Sequence, residues 1–263
     1  MTERSSYLFD NASSDAATRF AGLEAALDST TFRHLRDRGV SSGWMCLEVG
    51  AGGGSIVRWL AKQVGPSGAV VATDLNLSWV AETLGTNVDV RVHDIVRDPV
   101  ENESYDLVHA RLVLLHLSQR NAVIEKLISA LKPGAWLVLE EFTHVFPGPI
   151  PDPQTEEEHR VNRVYEGVRQ LLSRRGADTQ AYPRSLVRRF HSCGLTEVGA
   201  EGTVVFCRPA VGEVIRANIQ QVSNELLGAG VSSEDIAAAL RTINDAQHLL
   251  ALPMLISAWG RKP

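Results

Sequence analysis

The sequence predicts an α/β fold, a mostly parallel sheet with helices on both faces. Short apolar runs alternate with segments of helical spacing from Trp44 to Glu141, the pattern of successive parallel strands joined by crossover helices. The first run ends in glycines, "LEVGAGGGS", directly before a helical stretch. The runs close on Asp74, Asp94, Ala110 with Arg111, and Glu140 with Glu141. Those are the carboxyl ends of strands, where open α/β sheets bind their ligands.

Taken in order, Ser14 to Gly39 reads as two helical stretches, with Phe20, Leu23, Ala26 and Leu27 forming an apolar stripe on the first. Gly39 suits the stop of the second. "WMCLEV" is the first strand and "SIVRWLAKQVG" the helix after it, with Ile56, Trp59, Leu60 and Val64 on one face. "AVVATDL", "VDVRVHD", "YDLVHA" and "AWLVLEE" continue the strands. Between them lie a short helix "SWVAETLG" and a longer one, "SQRNAVIEKLISALKPG", which Ser118 can cap.

After Glu141 the composition changes. "FPGPIPDP" is too rich in proline for a central strand. It leads into a helix with Val161, Val164, Tyr165, Val168, Leu171 and Leu172 on one stripe. A helix from Pro183 to about Cys193, a strand in "LTEVGAEGTVVFC", helices around Val211–Leu227 and from Ser233, and a last strand in "LPMLISAWGRKP" complete the chain. The expected organisation is an N-terminal helical segment, 1–40, over a binding core, 41–147. A helical cap insertion, 148–181, precedes a core helix and strand, 182–208. A second helical insertion, 209–248, and a final strand, 249–263, follow. Such insertions suit a lid over a pocket, and could equally pair subunits in a homodimer.

With 263 residues, 44% hydrophobic and 22% charged, the chain has an ordinary globular composition. Its net charge of −5 gives no general attraction for nucleic acid or anionic membrane. No apolar run is long enough to span a bilayer. "MTERSSYLFD" lacks the basic stretch and apolar core of a secretory signal. Cys46, Cys193 and Cys207 have neither disulfide-framework nor zinc-pair spacing. These features point to a cytoplasmic protein.

The glycines of "LEVGAGGGS" allow a tight turn and close backbone approach to a ligand. Asp74 stands at the second strand end, where a carboxylate can accept both ribose hydroxyls of an adenosine, and it also suits a helix cap. A dinucleotide dehydrogenase fits these two features nearly as well. Against it, the last small residue of G-x-G-x-x-G falls on Ser55. Glu48, pointed at the site, would repel a pyrophosphate and attract a cationic group. The third strand ends in "VHDI", and "YDLVHARLVLLHL" and "LKPGAWLVLEE" follow.

This ordered set, over Leu47–Glu141, resembles the class I S-adenosylmethionine-dependent methyltransferases. The likeness is to the small-molecule type related to the ubiquinone- and menaquinone-biosynthesis enzymes. The resemblance implies a Rossmann-like, seven-stranded sheet of order 3-2-1-4-5-7-6 with the last strand antiparallel. It implies that Gly50 and Gly52 pack against the methionine part of the cofactor, with Glu48 close to its amino-acid end. Asp74 would take the ribose hydroxyls, with Leu75 beside the adenine. Asp94 would accept the adenine amino group, and the Ile95 N–H would reach a ring nitrogen. Ala110 and Arg111 would line the methionine end through backbone atoms. Tyr7, near the N-terminus, could close over the cofactor, and Arg19 could pair with its carboxylate.

Methyl transfer from a sulfonium needs in-line placement of the acceptor more than elaborate chemistry. A hydroxyl or acidic-carbon acceptor also benefits from a base. The candidates are His116 in "RLVLLHLS", and Glu141 and His144 after the fifth strand. The motifs of adenine, cytosine and catechol-type methyltransferases are absent, and "EEEH" at 156–159 reads as a helix-start charge run, not a metal site. The expected activity is metal-independent transfer to an oxygen or carbon of a small, partly apolar metabolite, within small-molecule or secondary metabolism. Tyr165, Leu171, Leu172 and Ile219 are candidates for its pocket. A nicotinamide-dependent oxidoreductase and a non-methylating S-adenosylmethionine-binding protein are the alternatives.

Overall fold

The computed structural model describes residues 8–9, 11, 14–80, 85–206, 209–245 and 247–263. Tyr7 and Cys207 lie outside them. The strands are β1 (Met45–Val49), β2 (Ala69–Asp74), β3 (Val88–Val92), β4 (Tyr105–Arg111), β5 (Leu131–Thr143), β6 (Thr196–Thr203) and β7 (Met254–Arg261). They form one sheet of order β3-β2-β1-β4-β5-β7-β6. β3, β2, β1, β4 and β5 pair in parallel, and β7 runs antiparallel to both neighbours. The expected order and the antiparallel last strand are both present.

The helices are α1 (Ser14–Asp37), α2 (Ser55–Val64), α3 (Arg120–Ala130), α4 (Glu156–Arg174), α5 (Ala181–Arg184), α6 (Leu186–Ser192), α7 (Ala210–Gln221), α8 (Ser223–Gly228) and α9 (Ser233–Asn244). Three details depart from the sequence expectation, and one falls partly outside the described residues. The two N-terminal stretches are one 24-residue helix, stopped at Gly39 with φ 84°. The helix expected over 78–85 falls partly on 81–84, outside the described residues, and Val80 closes a turn onto the Leu77 carbonyl. Ser118 does not cap α3: its hydroxyl bonds Gln119, whose backbone takes the cap position without a side-chain bond. The helix expected over 211–227 breaks at Val222 into α7 and α8. At the start of α4, Thr155 and Glu158 close a capping box and Glu156–Glu158 fill the first turn, so "EEEH" is a helix start.

Alternation along the strands splits the core in two. Leu47, Val49, Val108, Leu137 and Leu139 face Ile124 and Leu127 of α3 and Phe190 of α6. Cys46, Val70, Leu107 and Val138 face Val57 and Leu60 of α2 and Leu35 of α1. A third core joins α1, α4, α7 and α9 beyond the carboxyl ends of the strands. Three helices of that core, α4, α7 and α9, come from segments after β5 and β6, so they roof the end of the sheet where ligands bind. No helix among the described residues is long and apolar enough to cross a membrane.

Candidate functional site

The turn after β1 is set by backbone conformations that favour glycine. Gly50, Gly52 and Gly54 have φ of 77°, 53° and 82°. The Gly50 and Ala51 N–H groups donate to the Thr73 carbonyl at 2.8 and 2.9 Å, which ties the turn to β2. The Gly52 N–H donates to Asp74 Oδ2 at 3.0 Å, and Asp74 Oδ1 accepts from the Asn76 N–H at 3.1 Å. A Cβ on Gly50 would stand 2.4 Å from Val113 Cγ2, and one on Gly53 2.4 Å from Glu24 Oε1. No larger residue fits this cradle without a shift.

α1 forms the other wall. Phe20 lies over Gly52, where a Cβ would meet its ring at 3.3 Å. Glu24 Oε1 accepts from the Ser55 N–H at 3.2 Å, at the N-terminus of α2. That helix has no side-chain cap of its own, so Glu24 occupies the position where a helix N-terminus would otherwise hold an anion. Sequence reasoning missed Phe20, Leu23 and Glu24, which line the cavity with Arg19. The available signal was their spacing, one face of one continuous helix. The stripe was legible, but not that it packs on the cradle, a long-range contact.

Between α1 and the strand ends lies a cavity of about 260 Å³. Gly50, Gly52, Asp74, Leu75, Asp94, Ile95, Arg111, Arg19, His116 and His144 all line it. Leu75 is 61% exposed, a leucine left on the surface at the cavity edge. Asp94 Oδ1 accepts from the Val96 N–H at 2.9 Å, and Lys126 pins the following loop through the Ile95 and Asp98 carbonyls, each at 2.7 Å. Arg19 is buried, stacked on Phe9 and Phe20, with Nη1 donating to Gln221 and Nη2 to Asn11.

Three expected site residues lie elsewhere. Ala110 is buried and does not reach the cavity. Glu48 is turned to the α1 side of the sheet, where Oε2 meets His109 Nδ1 at 2.7 Å. Burial pushes its carboxyl up. The expectation that it points at the cofactor fails because cross-strand pairing sets it directly opposite His109. With it goes the argument that Glu48 repels a pyrophosphate; Glu24 at the start of α2 carries that argument instead. Glu141, expected as a candidate base, is fully buried away from the cavity. Its Oε1 accepts from the Leu114 and Leu115 N–H groups at 2.8 and 3.2 Å, holding the short helical turn Leu114–His116. Burial pushes its pKa up to about 8.

His109 and Glu48 belong to a buried network beneath the site. His109 Nε2 faces Glu140 at 3.5 Å. Glu140 accepts from Thr31 Oγ1 at 2.5 Å and Ser257 Oγ at 2.7 Å. Arg111 donates to Thr31 Oγ1 and to Asp28 Oδ1, both at 2.9 Å. Burial alone would lower His109, but the two carboxylates outweigh it and raise it to about 9. Burial opposes ionisation of Glu140 as well, yet His109 and Arg111 bring it to about 2. The network clamps α1 to β4 and β5 and so fixes the wall that carries Arg19, Phe20 and Glu24.

The far end of the cavity is mostly apolar, with Phe142, Leu172, Val214 and Leu252. Tyr165 and Leu172 line it as expected, whereas Leu171 and Ile219 pack in the helical core. Two imidazoles face it in the neutral state. Burial, with Arg19 and Arg120 adding to it, lowers His116 to about 3. Burial, with Arg169 nearby, lowers His144 to about 4.

A family model described as a methyltransferase domain matches residues 47–137. The chain is 35% identical over 96 residues to methyltransferase str2 of Strobilurus tenacellus, covering 36% of this chain and 34% of that protein. It is 29% identical over 118 residues to the ubiquinone/menaquinone biosynthesis C-methyltransferase UbiE of Cupriavidus necator, covering 43% and 49%. The chain thus spans between a third and a half of the length of these curated relatives. Among solved structures, phosphoethanolamine N-methyltransferase 2 of Haemonchus contortus superposes with a TM-score of 0.59 at 16% identity. That match covers 96% of this chain and 59% of that one, and it shows the shared fold. Residues 47–137 thus match a methyltransferase domain, and the strand order and the glycine cradle agree with the class I S-adenosylmethionine-dependent methyltransferases that the sequence resembles.

Proposed function

We propose that the chain transfers a methyl group from S-adenosylmethionine to an oxygen or carbon of a small, partly apolar acceptor, without a metal ion. The observation that carries this reading is the single cavity that joins the glycine cradle and Asp74 to an apolar end bearing two neutral imidazoles. The cradle suits the cofactor because Gly50, Gly52 and Gly53 line the cavity with backbone and no side chain. When bound, the cofactor supplies a sulfonium methyl: the acceptor's electron pair forms the new bond to carbon while the carbon–sulfur pair departs onto sulfur.

Gly50 and Gly52 receive the methionine part, and Arg19 meets its carboxylate. Asp74 accepts the ribose hydroxyls while keeping the Gly52 N–H. Leu75 lies beside the adenine, Asp94 accepts its amino group, and the Ile95 N–H reaches a ring nitrogen. Arg111 lines the methionine end with its guanidinium held back by Asp28 and Thr31. Glu48 acts at one remove, through His109 and the seat of α1. His144 or His116, unprotonated at neutral pH, takes the proton that the acceptor loses. The apolar walls exclude water and place the acceptor in line.

Transfer of tritium from methyl-labelled S-adenosylmethionine to a panel of phenols, enols and secondary alcohols tests the reading. At least one member should gain label, more slowly with His144→Ala. Binding of S-adenosylhomocysteine with no label moved to any member would sink it.

A further inference from the structure

At the far end of the cavity, three side chains from three separate elements meet. Tyr165 from α4 and Asn218 from α7 line it and are 9% and 8% exposed. The Asn218 side chain lies beside the Tyr165 hydroxyl, while Asn218 Oδ1 has no hydrogen-bond partner. With Oδ1 unpaired, the Asn218 NH₂ is the group that can serve the Tyr165 oxygen, so the Tyr165 O–H can donate onward and Oδ1 can accept. His144, just beyond β5, sets its ring 6.2 Å from that of Tyr165, and its Nδ1 also lacks a hydrogen bond. Buried polar atoms are normally paired. Donor binding at the cradle engages none of these groups.

The charges nearby are spoken for. The cavity's carboxylates, Glu24, Asp74 and Asp94, belong to the cradle end. Arg111 is bound to Asp28, and Arg19 is taken up by Gln221, by Asn11 and, on the reading above, by the donor's carboxylate. Among the described lining residues, the far end therefore offers no carboxylate for an ammonium. It offers no uncommitted guanidinium for a carboxylate or phosphate. A charged acceptor there would be buried without a counterion, which is strongly disfavoured.

Resting on the methyl-donor reading above, we propose that Tyr165, Asn218 and His144 read the acceptor, and that it is an uncharged hydroxylated ketone on an apolar scaffold. The Tyr165 O–H donates to the carbonyl oxygen and Asn218 Oδ1 accepts from a hydroxyl. His144 borders the same oxygens on the third side. Tyr165 and Asn218 are specificity residues here, set by α4 and α7, the helices of the two insertions.

Ligand-detected NMR on protein saturated with S-adenosylhomocysteine tests this, with ortho-hydroxyacetophenone, acetophenone, salicylate and phosphoethanolamine as probes. Ortho-hydroxyacetophenone should bind saturably and more tightly than the other three. Tyr165→Phe, which keeps the shape, and Asn218→Leu should each weaken it about tenfold, the worth of one hydrogen bond in a buried site. Both variants should bind S-adenosylhomocysteine within about twofold of wild type, which also shows that they fold. Salicylate or phosphoethanolamine binding as tightly as ortho-hydroxyacetophenone would overturn the proposal. So would folded variants that hold ortho-hydroxyacetophenone unchanged. A wild type that fails to take up S-adenosylhomocysteine would instead refute the donor reading, and this proposal with it.

Discussion

His109 Nδ1 lies 2.7 Å from Glu48 Oε2, within the sheet and wholly out of solvent. With Glu140 on the other side of the ring, one imidazolium separates two buried carboxylates. Removing it takes the shared cation from both, and Glu140 keeps only its Thr31 and Ser257 hydroxyl bonds. His109→Leu should cost about 3–5 kcal/mol of unfolding free energy, the usual penalty for breaking a buried ion pair. Chemical denaturation at pH 7 measures it, and a loss under about 1 kcal/mol would contradict the network.

The same pair sets a pH dependence. His109 rises from 6.5 to about 9 on folding, so its contribution is complete below pH 6.5 and is lost as pH climbs through 9. Glu141, raised from 4.5 to about 8, loses its contribution over an overlapping, lower range. Wild-type stability should therefore fall between pH 6.5 and 9. The difference curve between wild type and His109→Leu isolates the histidine's share, and a flat difference would refute it.

Two classes of histidine should coexist at neutral pH. Nitrogen-detected NMR titration should find His109 cationic up to about pH 9, and His144 neutral down to about pH 4. His144 protonated at pH 6 would remove it as a base.

Gly50→Ala combines two faults, a φ of 77° and a Cβ 2.4 Å from Val113. The left-handed conformation alone costs about 1–2 kcal/mol for an L-residue. Adding Val113→Ala relieves the contact but not the backbone. The double variant should recover only part of the lost melting temperature, and full recovery would place the whole fault in the contact.

Glu141 braces the Leu114–His116 turn outside the cavity, a place that fits support of the fold. Glu141→Gln keeps an acceptor for the Leu114 and Leu115 N–H groups and should leave the rate of methyl transfer within about twofold. Glu141→Leu orphans both donors and should cost about 1–3 kcal/mol of stability. A hundredfold rate loss in Glu141→Gln would restore it to the chemistry.

Much of this was legible because strand periodicity and turn chemistry are local. The alternation from Trp44 to Glu141 gave the parallel core, and the glycines of 50–54 gave the turn. Asp74, Leu75, Asp94 and Ile95 reach the cavity because they sit at strand ends, which a sequence marks directly. Glu48 and Glu141 were misread because a position along a strand does not tell which face a side chain takes, nor what stands opposite. His109 takes one carboxylate, and two backbone N–H groups take the other. The roof residues Phe20, Leu23 and Glu24 were hidden for another reason. Their contact with the cradle is a long-range packing of α1, which no local pattern announces.

The central claim is that this cavity holds the methyl donor through Asp74 and the glycine cradle. Titration calorimetry with S-adenosylhomocysteine tests it most directly. Wild type should bind one equivalent, Asp74→Asn should stay folded and bind more weakly, and Asp74→Ala should lose at least about tenfold in affinity. No binding to wild type, or an Asp74→Ala isotherm indistinguishable from it, would contradict the account.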